Sequence, residues 1–522
     1  MGLNITQLTA FVLFVSFVIQ CFRHIENCWA FTITRDISMK RLLILICALL
    51  TLFPATLFAQ APYHQTHFPP EEFRARWTRI FDRIGDRAVA ILQGASLTRG
   101  FVMPRQSNEF YYLSGIETPG AYLLLDGRTR KVTLFLPPRN ERLERNEGKV
   151  LSAEDADLVR QLTGVDLVAS TRTMSEEWLN ELMRAPAPLI YTMFSPAEGS
   201  AESRYELQMA NAAIANDYWD GRVSREAHFV NLLRTRAPRA EARDLTPILD
   251  ELRSVKSPRE IALIRRASQL AGLGILEAIK STKPGLFEYH LDAAARYIFL
   301  AGGARLEGYR SITAAGTANI WNGHYYRNNA MLKDGDMVLM DFAPDYGYYT
   351  SDVTRMWPIN GKFSPMQREL LQFILDYRNT VMKRIRPGVT VKTILEEARR
   401  EMEPYMQRVK FSKPVYEQAA RKLVETGGGI FSHPVGLAVH DDGPYNRDVL
   451  KPGHVFSIDP QLWVPEENLY LRYEDVIVIT EDGFENFTHF LPTELSDLEK
   501  LVGQGGIALK LQPAPEKDLI RK

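Results

Sequence analysis

Residues 337–355 read M-V-L-M-D-F-A-P-D-Y-G-Y-Y-T-S-D-V-T-R, and the acids Asp341 and Asp352 stand where strands would be expected to carry apolar side chains. The run 337–343 is apolar with one interruption, 349–354 is β-rich, and Pro344-Asp345-Tyr346-Gly347 supplies a turn between them. A hairpin is expected. Pairing Asp341 opposite Thr350 would place Asp352 two residues along on the same face, so two carboxylates would converge from neighbouring strands. Like charges buried together repel unless a cation lies between them.

The same interruption recurs downstream. Asp459 closes V-F-S-I-D-P in a strand expected over 455–459, and Glu474 lies in L-R-Y-E-D-V-I-V-I-T, a strand expected over 471–479. Asp475 must face the other way from Glu474 in a strand and reads as structural. Between the two pairs, S-H-P-V-G-L-A-V-H-D offers His433 and His440. Each residue alone has an ordinary reading, an Asp as a turn or cap and a His as a surface or satisfied core residue. Together, four carboxylates and one or two imidazoles form a hard, oxygen-rich set. Such a set suits two divalent ions better than one closed tetrahedral zinc.

Further from this centre, Ser257-Pro258-Arg259-Glu260 is a capping box with Pro at the first helical position. The helix it starts carries Ile261, Ile264, Ala267 and Leu270 on one face, and amphipathic helices are expected at 287–301 and 365–385. Upstream, a helix over 70–83 precedes a strand at 88–92, and the runs 121–125 and 131–136 are joined by Asp126-Gly127, a hairpin signal. Short apolar runs at 167–169 and 189–193 alternate with helical patterns to about residue 245. The expected organisation is an α/β domain over 62–250, an α+β domain over 251–512 and a frayed polar tail over 513–522.

The whole chain has 522 residues, with 63 Lys+Arg against 63 Asp+Glu, 45% hydrophobic and 24% charged residues. These values exclude a disordered or low-complexity chain, and zero net charge argues against an extended nucleic-acid surface. Met39-Lys40-Arg41, the apolar run 42–53 and the small-residue stretch Ala59-Gln60-Ala61 together form a signal-peptide pattern, with cleavage fitting after Ala59 or Ala61. A true start at Met39 is expected. A second apolar run at 8–19 leaves a membrane anchor as the alternative, although neither run reaches the roughly 18 residues of a spanning helix. Removing residues 1–61 leaves 461 residues, with 59 basic against 61 acidic side chains and no stable membrane span expected. Cys21, Cys28 and Cys47 all leave with that segment, which excludes disulfides, thiol catalysis and Cys-ligated metal from the mature chain.

In order and spacing, Asp341, Asp352, His433, Asp459 and Glu474 resemble the five metal ligands of the pita-bread metallopeptidases, a superfamily that holds methionine aminopeptidase, prolidase and aminopeptidase P. D-x-T-R after Asp352, H-x-x-G-L-x-x-H-D at His433 and R-x-E-D at Arg472 support the match. R-Q-S-N-E-F-Y-Y-L-S-G at 105–115 resembles a stretch of the aminopeptidase P N-terminal domain, which methionine aminopeptidase lacks. The resemblance implies an N-terminal domain of the creatinase/aminopeptidase P type and a pita-bread catalytic domain. It implies two divalent metals, manganese first with cobalt or zinc possible, and a dimetal-activated hydroxide that hydrolyses the Xaa-Pro bond at peptide N-termini. Asp352 and Glu474 would bridge the metals, Asp341 would chelate one, and His433 with Asp459 would bind the other. His324 would contact the reacting peptide, His440 would steady the tetrahedral intermediate, and Arg472 would support the site by pairing with acids. Trp321, Tyr325 and Tyr326 could wall a prolyl ring or belong to the core.

The family usually has Glu where this chain has Asp459. The side chain is shorter by about 1.5 Å, one C–C bond, so the base or proton-shuttle role and the filling of the His433-side metal are the expectations this departure bears on. Tyr473, where an aliphatic residue is usual, is a milder departure. A Xaa-Pro dipeptidase and a catalytically impaired binding protein on the same fold are the alternative readings. The expected partners are peptides with proline at the second position. The resemblance further implies a homo-dimer or tetramer with Glu109's region near a neighbour's cleft, and the leader implies a secreted or periplasmic protein.

Overall fold

The computed structural model describes residues 64–510, apart from 98–100, 181–182, 185–187, 444 and 446–447. The leader, with its cysteines and Met39, and the tail over 513–522 lie outside the described residues. After the helix Pro70–Ile84 come strands β1 (Ala88–Gln93), β2 (Tyr122–Asp126), β3 (Lys131–Leu136), β4 (Leu167–Ser170), β5 (Leu189–Thr192) and β6 (Glu241–Asp244). They form one sheet in the order β4-β3-β2-β1-β5-β6. The β2–β3 hairpin closes with Asp126 opposite Lys131, in the register expected around Asp126-Gly127. Pairs β3–β4, β1–β5 and β5–β6 are parallel, so the sheet is mixed and wound by helical crossovers.

The helix Pro258–Ser281 begins at the expected capping box: the Ser257 hydroxyl accepts from the Glu260 amide, and the Glu260 carboxylate accepts from the Ser257 amide. Glu288–Ala301 and Pro365–Met382 match the other two expected helices, and Val391–Arg408 and Pro414–Thr426 follow. Strands β7 (Ile312–Ala315), β8 (Met337–Asp341) and β9 (Thr354–Pro358) pair antiparallel in the order β9-β8-β7. β10 (Phe431–Pro434), β11 (Val455–Ile458), β12 (Gln461–Val464), β13 (Leu469–Arg472), β14 (Asp475–Ile479) and β15 (Phe484–Asn486) complete the second half. β10, β11, β14 and β15 form one sheet in that order, and β12 pairs with β13.

Two strand expectations are corrected. Asp341 pairs with Thr354, not Thr350. The intervening segment does not turn tightly, because Pro344–Asp345 pairs with Leu306–Glu307 and the reversal falls at Tyr346–Tyr349, where Gly347 and Tyr348 take φ of 61° and 74°. The run 471–479 is two strands, broken at Tyr473 and Glu474.

A large apolar core lies within the second half, and a smaller one covers one face of the first sheet. A third core joins both halves, combining Leu123, Leu134 and Leu249 with Leu263, Val435, Val455, Val476 and Val478. Polar contacts reinforce the joint. Arg105 bonds Asp345 through Nε at 2.9 Å, and Tyr111 stacks on Tyr348 at 3.5 Å between ring centroids. Asn108 donates to the Leu437 carbonyl at 3.1 Å. The 105–115 motif therefore clamps both the loop after β8 and the loop after β10. Among the described residues no helix is long and apolar enough to cross a membrane.

Candidate active site

Strand ends deliver the acids. Asp341 closes β8, Asp352 lies two residues before β9, Asp459 follows β11, and Glu474 occupies the break between β13 and β14. Backbone bonds in both directions between Thr354 and Glu474, at 3.3 and 3.1 Å, tie that break to the start of β9. The two quoted motifs are knitted together there. The Thr354 hydroxyl donates to Glu474 Oε2 at 2.8 Å, and Arg355 pairs with Asp475 at 2.7 Å. Asp475 also bonds Arg378 and Thr488, and the two guanidinium groups hold its carboxyl well below the usual range despite burial. It is turned to Arg355, Arg378 and Thr488 rather than to the cavity. Tyr473 lies under Arg355, with the guanidinium carbon 4.0 Å from the ring centroid, so this departure from the family pattern has a local partner.

Asp341, Asp352 and Glu474 place ligand atoms within 4.8 Å of one another, and so do Asp352, His433 and His440. Asp352 belongs to both groups. Asp459 belongs to neither, although it lines the same cavity of about 860 Å³. Its Oδ2 accepts from Gln461 Nε2 and lies 3.9 Å from Arg472 Nη1. Asp341 accepts from the Tyr309 hydroxyl at 2.5 Å and from Arg472. These donors leave further lone pairs on its carboxylate for ligation.

The electrostatics call for a cation. Asp341, Asp352, Asp459 and Glu474 are all at most 4% exposed, with Arg472 as the positive charge beside them. Burial, then the Glu474 and Asp341 charges, pushes the Asp352 carboxyl well up. Burial, then Asp459, does the same to Glu474. Burial raises Asp459 to about 6. Asp352 Oδ1, Asp459 Oδ1 and Glu474 Oε1 are buried without a hydrogen-bond partner among the described residues. A buried oxygen without a donor is costly, so the donor set fits hard divalent cations. Burial lowers His433 to about 3, which keeps it neutral. Its Nδ1 faces the Pro434 carbonyl at 3.1 Å, and a carbonyl can only accept, so Nδ1 carries the proton and the lone pair is on Nε2, 3.2 Å from Asp352.

His324, His440 and Arg472 line the same cavity, and burial followed by the Arg472 charge lowers the His324 pKa. Of the two readings open for the aromatics near His324, Trp321 and Tyr325 take the core one. Tyr325 is buried and bonds Glu288, Tyr326 is 60% exposed beside Arg310, and Trp321 packs edge-on against Trp463. Tyr205, Tyr309, Trp463 and Tyr470 line the cavity in their place. Sequence reading also missed Ser203, Glu206 and Gln461. Gln461 had a weak signal, two residues beyond Asp459 in a short strand. Glu109 is 1% exposed and pairs with Arg204 of this same chain.

Two family models match the chain: metallopeptidase family M24 over residues 262–481 and the aminopeptidase P N-terminal domain over residues 73–191. The Xaa-Pro aminopeptidase of Haemophilus influenzae is 30% identical over 84% of this chain and 99% of its own length. This chain belongs to metallopeptidase family M24. The Xaa-Pro aminopeptidase of Escherichia coli is similar to this M24 chain at 30% identity, over 83% of the chain and 97% of the relative. Among solved structures, proline aminopeptidase P II from Yersinia pestis superposes with a TM-score of 0.67 at 29% identity, over 84% of this chain and 100% of that one. An aminopeptidase P from E. coli in complex with substrate gives 0.66 at 27% identity, over 85% and 100%. The fold is accordingly that of aminopeptidase P, with an α/β N-terminal domain before a pita-bread catalytic domain. The M24 chain is a metallo-aminopeptidase, a hydrolase whose family uses divalent metal ions.

Proposed function

We propose that this chain is an exported Xaa-Pro aminopeptidase that works with two divalent ions, manganese first. The observation that carries this reading is the sharing of Asp352 between the two ligand groups, because a carboxylate common to two sets is placed to bridge two cations. Asp352 and Glu474 would bridge, Asp341 would hold one ion, and His433 with Asp459 would hold the other. Bound there, the ions supply Lewis acidity and activate water for attack on the scissile carbonyl. The chain's own side chains do the rest. Neutral His433 offers Nε2, Arg472 and the Tyr309 hydroxyl fix Asp341, and His324 and His440 line the cavity where the peptide would react. Tyr309, Trp463 and Tyr470 give an apolar wall for a prolyl ring. The relatives named as Xaa-Pro aminopeptidases support that substrate class. The run over 42–53 behind Met39-Lys40-Arg41 supports export, and a homo-oligomer is part of the same proposal.

The test is turnover of Xaa-Pro dipeptides against longer peptides with proline second. Release of the first residue from the longer peptides is expected, whereas cleavage of the dipeptide alone rejects the aminopeptidase reading in favour of a dipeptidase. Asp459→Glu tests the departure from the family pattern. The added methylene extends the carboxylate by about 1.5 Å towards the His433-side ion. Calorimetric titration of metal-free protein with Mn²⁺ should then show the weaker site tightening by about tenfold, or about 1.4 kcal/mol. Unchanged binding removes Asp459 from the ligand set, and weaker binding overturns the reading that Asp459 falls short of the ion.

A further inference from the structure

Residues 192–261 lie between the two matched stretches, 73–191 and 262–481, yet this segment reaches into the catalytic cavity. Ala201, Ser203, Tyr205 and Glu206 all line it. Ser203-Arg204-Tyr205-Glu206 opens the helix Arg204–Ala215 and has the S-x-x-E spacing of a capping box, in which serine and glutamate would satisfy each other's backbone amides. They do not. Ser203 makes no side-chain cap bond to its own helix. Its hydroxyl accepts instead from the backbone amide of His440 at 3.2 Å, and Glu206 Oε1 lies 2.5 Å from His440 Nδ1. Both members of the pattern are spent on one remote residue.

The anchor between them is Arg204, 3% exposed. It pairs with Glu109 at 3.1 Å and with Asp442, two residues after His440, at 3.0 Å, and it also bonds Asp250. The start of this helix is therefore pinned to the same loop whose histidine it holds. Local rules of this kind are broken mainly at functional sites.

We propose that Glu206, assisted by Ser203, is a positioning residue for His440. A carboxylate can only accept at neutral pH, so Nδ1 carries the proton and the ring is oriented with Nε2 as the nitrogen left to face the cavity. Half-exposed Glu206 adds little to stability, and its contribution lies in geometry. The inference rests on the reading of His440 as a group that touches the reacting peptide.

The experiment is a double-mutant cycle on the metal-loaded enzyme, with kcat, KM, metal content and Tm measured for each variant. Glu206→Ala should lower kcat by about 10–100-fold, the usual loss for an orienting partner, with KM, metal content and Tm unchanged. Glu206→Gln keeps an acceptor oxygen and should restore most of kcat. In an His440→Ala background, Glu206→Ala should change the residual rate by less than about twofold, because coupled residues are not additive. Equal losses in both backgrounds, loss of metal in Glu206→Ala, or a Gln variant as poor as Ala each overturn the proposal. Full activity in His440→Ala overturns the reading of His440 itself. An inactive His440→Ala beside an unaffected Glu206→Ala overturns only the positioning.

Discussion

Asp352→Asn is expected to remove peptidase activity by on the order of 10³-fold or more, since even partners that only orient a ligand cost 10–100-fold and Asp352 is shared by both ligand groups. The same substitution should stabilise the protein once metal is removed. In the metal-free state the buried Asp352 carboxyl is pushed up from its ordinary 3.8 by burial and by the Glu474 and Asp341 charges. A carboxyl raised in the folded state costs nothing while both states are protonated. Its penalty grows as pH rises above the unfolded value towards and through the folded one. Asp459, raised to about 6, and Glu474 follow the same sign. In chelator, the Tm of Asp352→Asn should therefore approach that of the parent near pH 3, below the unfolded value, and exceed it at pH 8. Mn²⁺ should reverse the order at pH 8 by stabilising only the parent. Equal Tm values in chelator at pH 8 would mean that the carboxylates do not repel as described.

Arg253→Met should cost about 3–5 kcal/mol, the range for breaking a buried ion pair from one side. Arg253 is 1% exposed, bonds Glu198 at 2.6 Å and Asp441, and lies 3.7 Å from Glu109. Methionine fills the volume but leaves three buried carboxylates with less countercharge, since Arg204 and Lys256 remain as the other cations among them. For a chain of this size melting as one unit the Tm should fall by about 3–5 °C. Activity should fall as well, because Asp441 follows His440 directly and would lose its anchor. Thermal denaturation within about 1 kcal/mol of the parent would show that Lys256 and Arg204 suffice.

The acids of the site were legible because each interrupts or closes a β-rich or apolar run of sequence, a conflict that burial permits only with compensation. Asp475 was legible as structural from its place beside Glu474, although the strand continuity behind that reading breaks at Tyr473 and Glu474. The register of β8 with β9 was not, because the loop between them pairs with Leu306–Glu307, a contact that local sequence does not encode. The choice between a prolyl wall and the core was not legible for Trp321, Tyr325 and Tyr326, because proximity in sequence to His324 does not fix proximity in space; Trp321 and Tyr325 belong to the core. Tyr205 and Glu206 were invisible for a related reason. Their S-x-x-E pattern indicates a helix start, and only the tertiary fold reveals that its hydrogen bonds go to His440.

The core that combines Leu123 and Leu134 with Val455, Val476 and Val478 has a bearing on how this molecule can be cut or inherited. A fragment beginning at residue 251 would carry the whole set of acids, yet it would expose a face built to be dry and would lose Arg204 and Glu206 with it. The two halves are thus not portable modules. They should melt in one calorimetric transition, and a transplant of the catalytic half onto another partner would have to bring its own replacement for that buried seam.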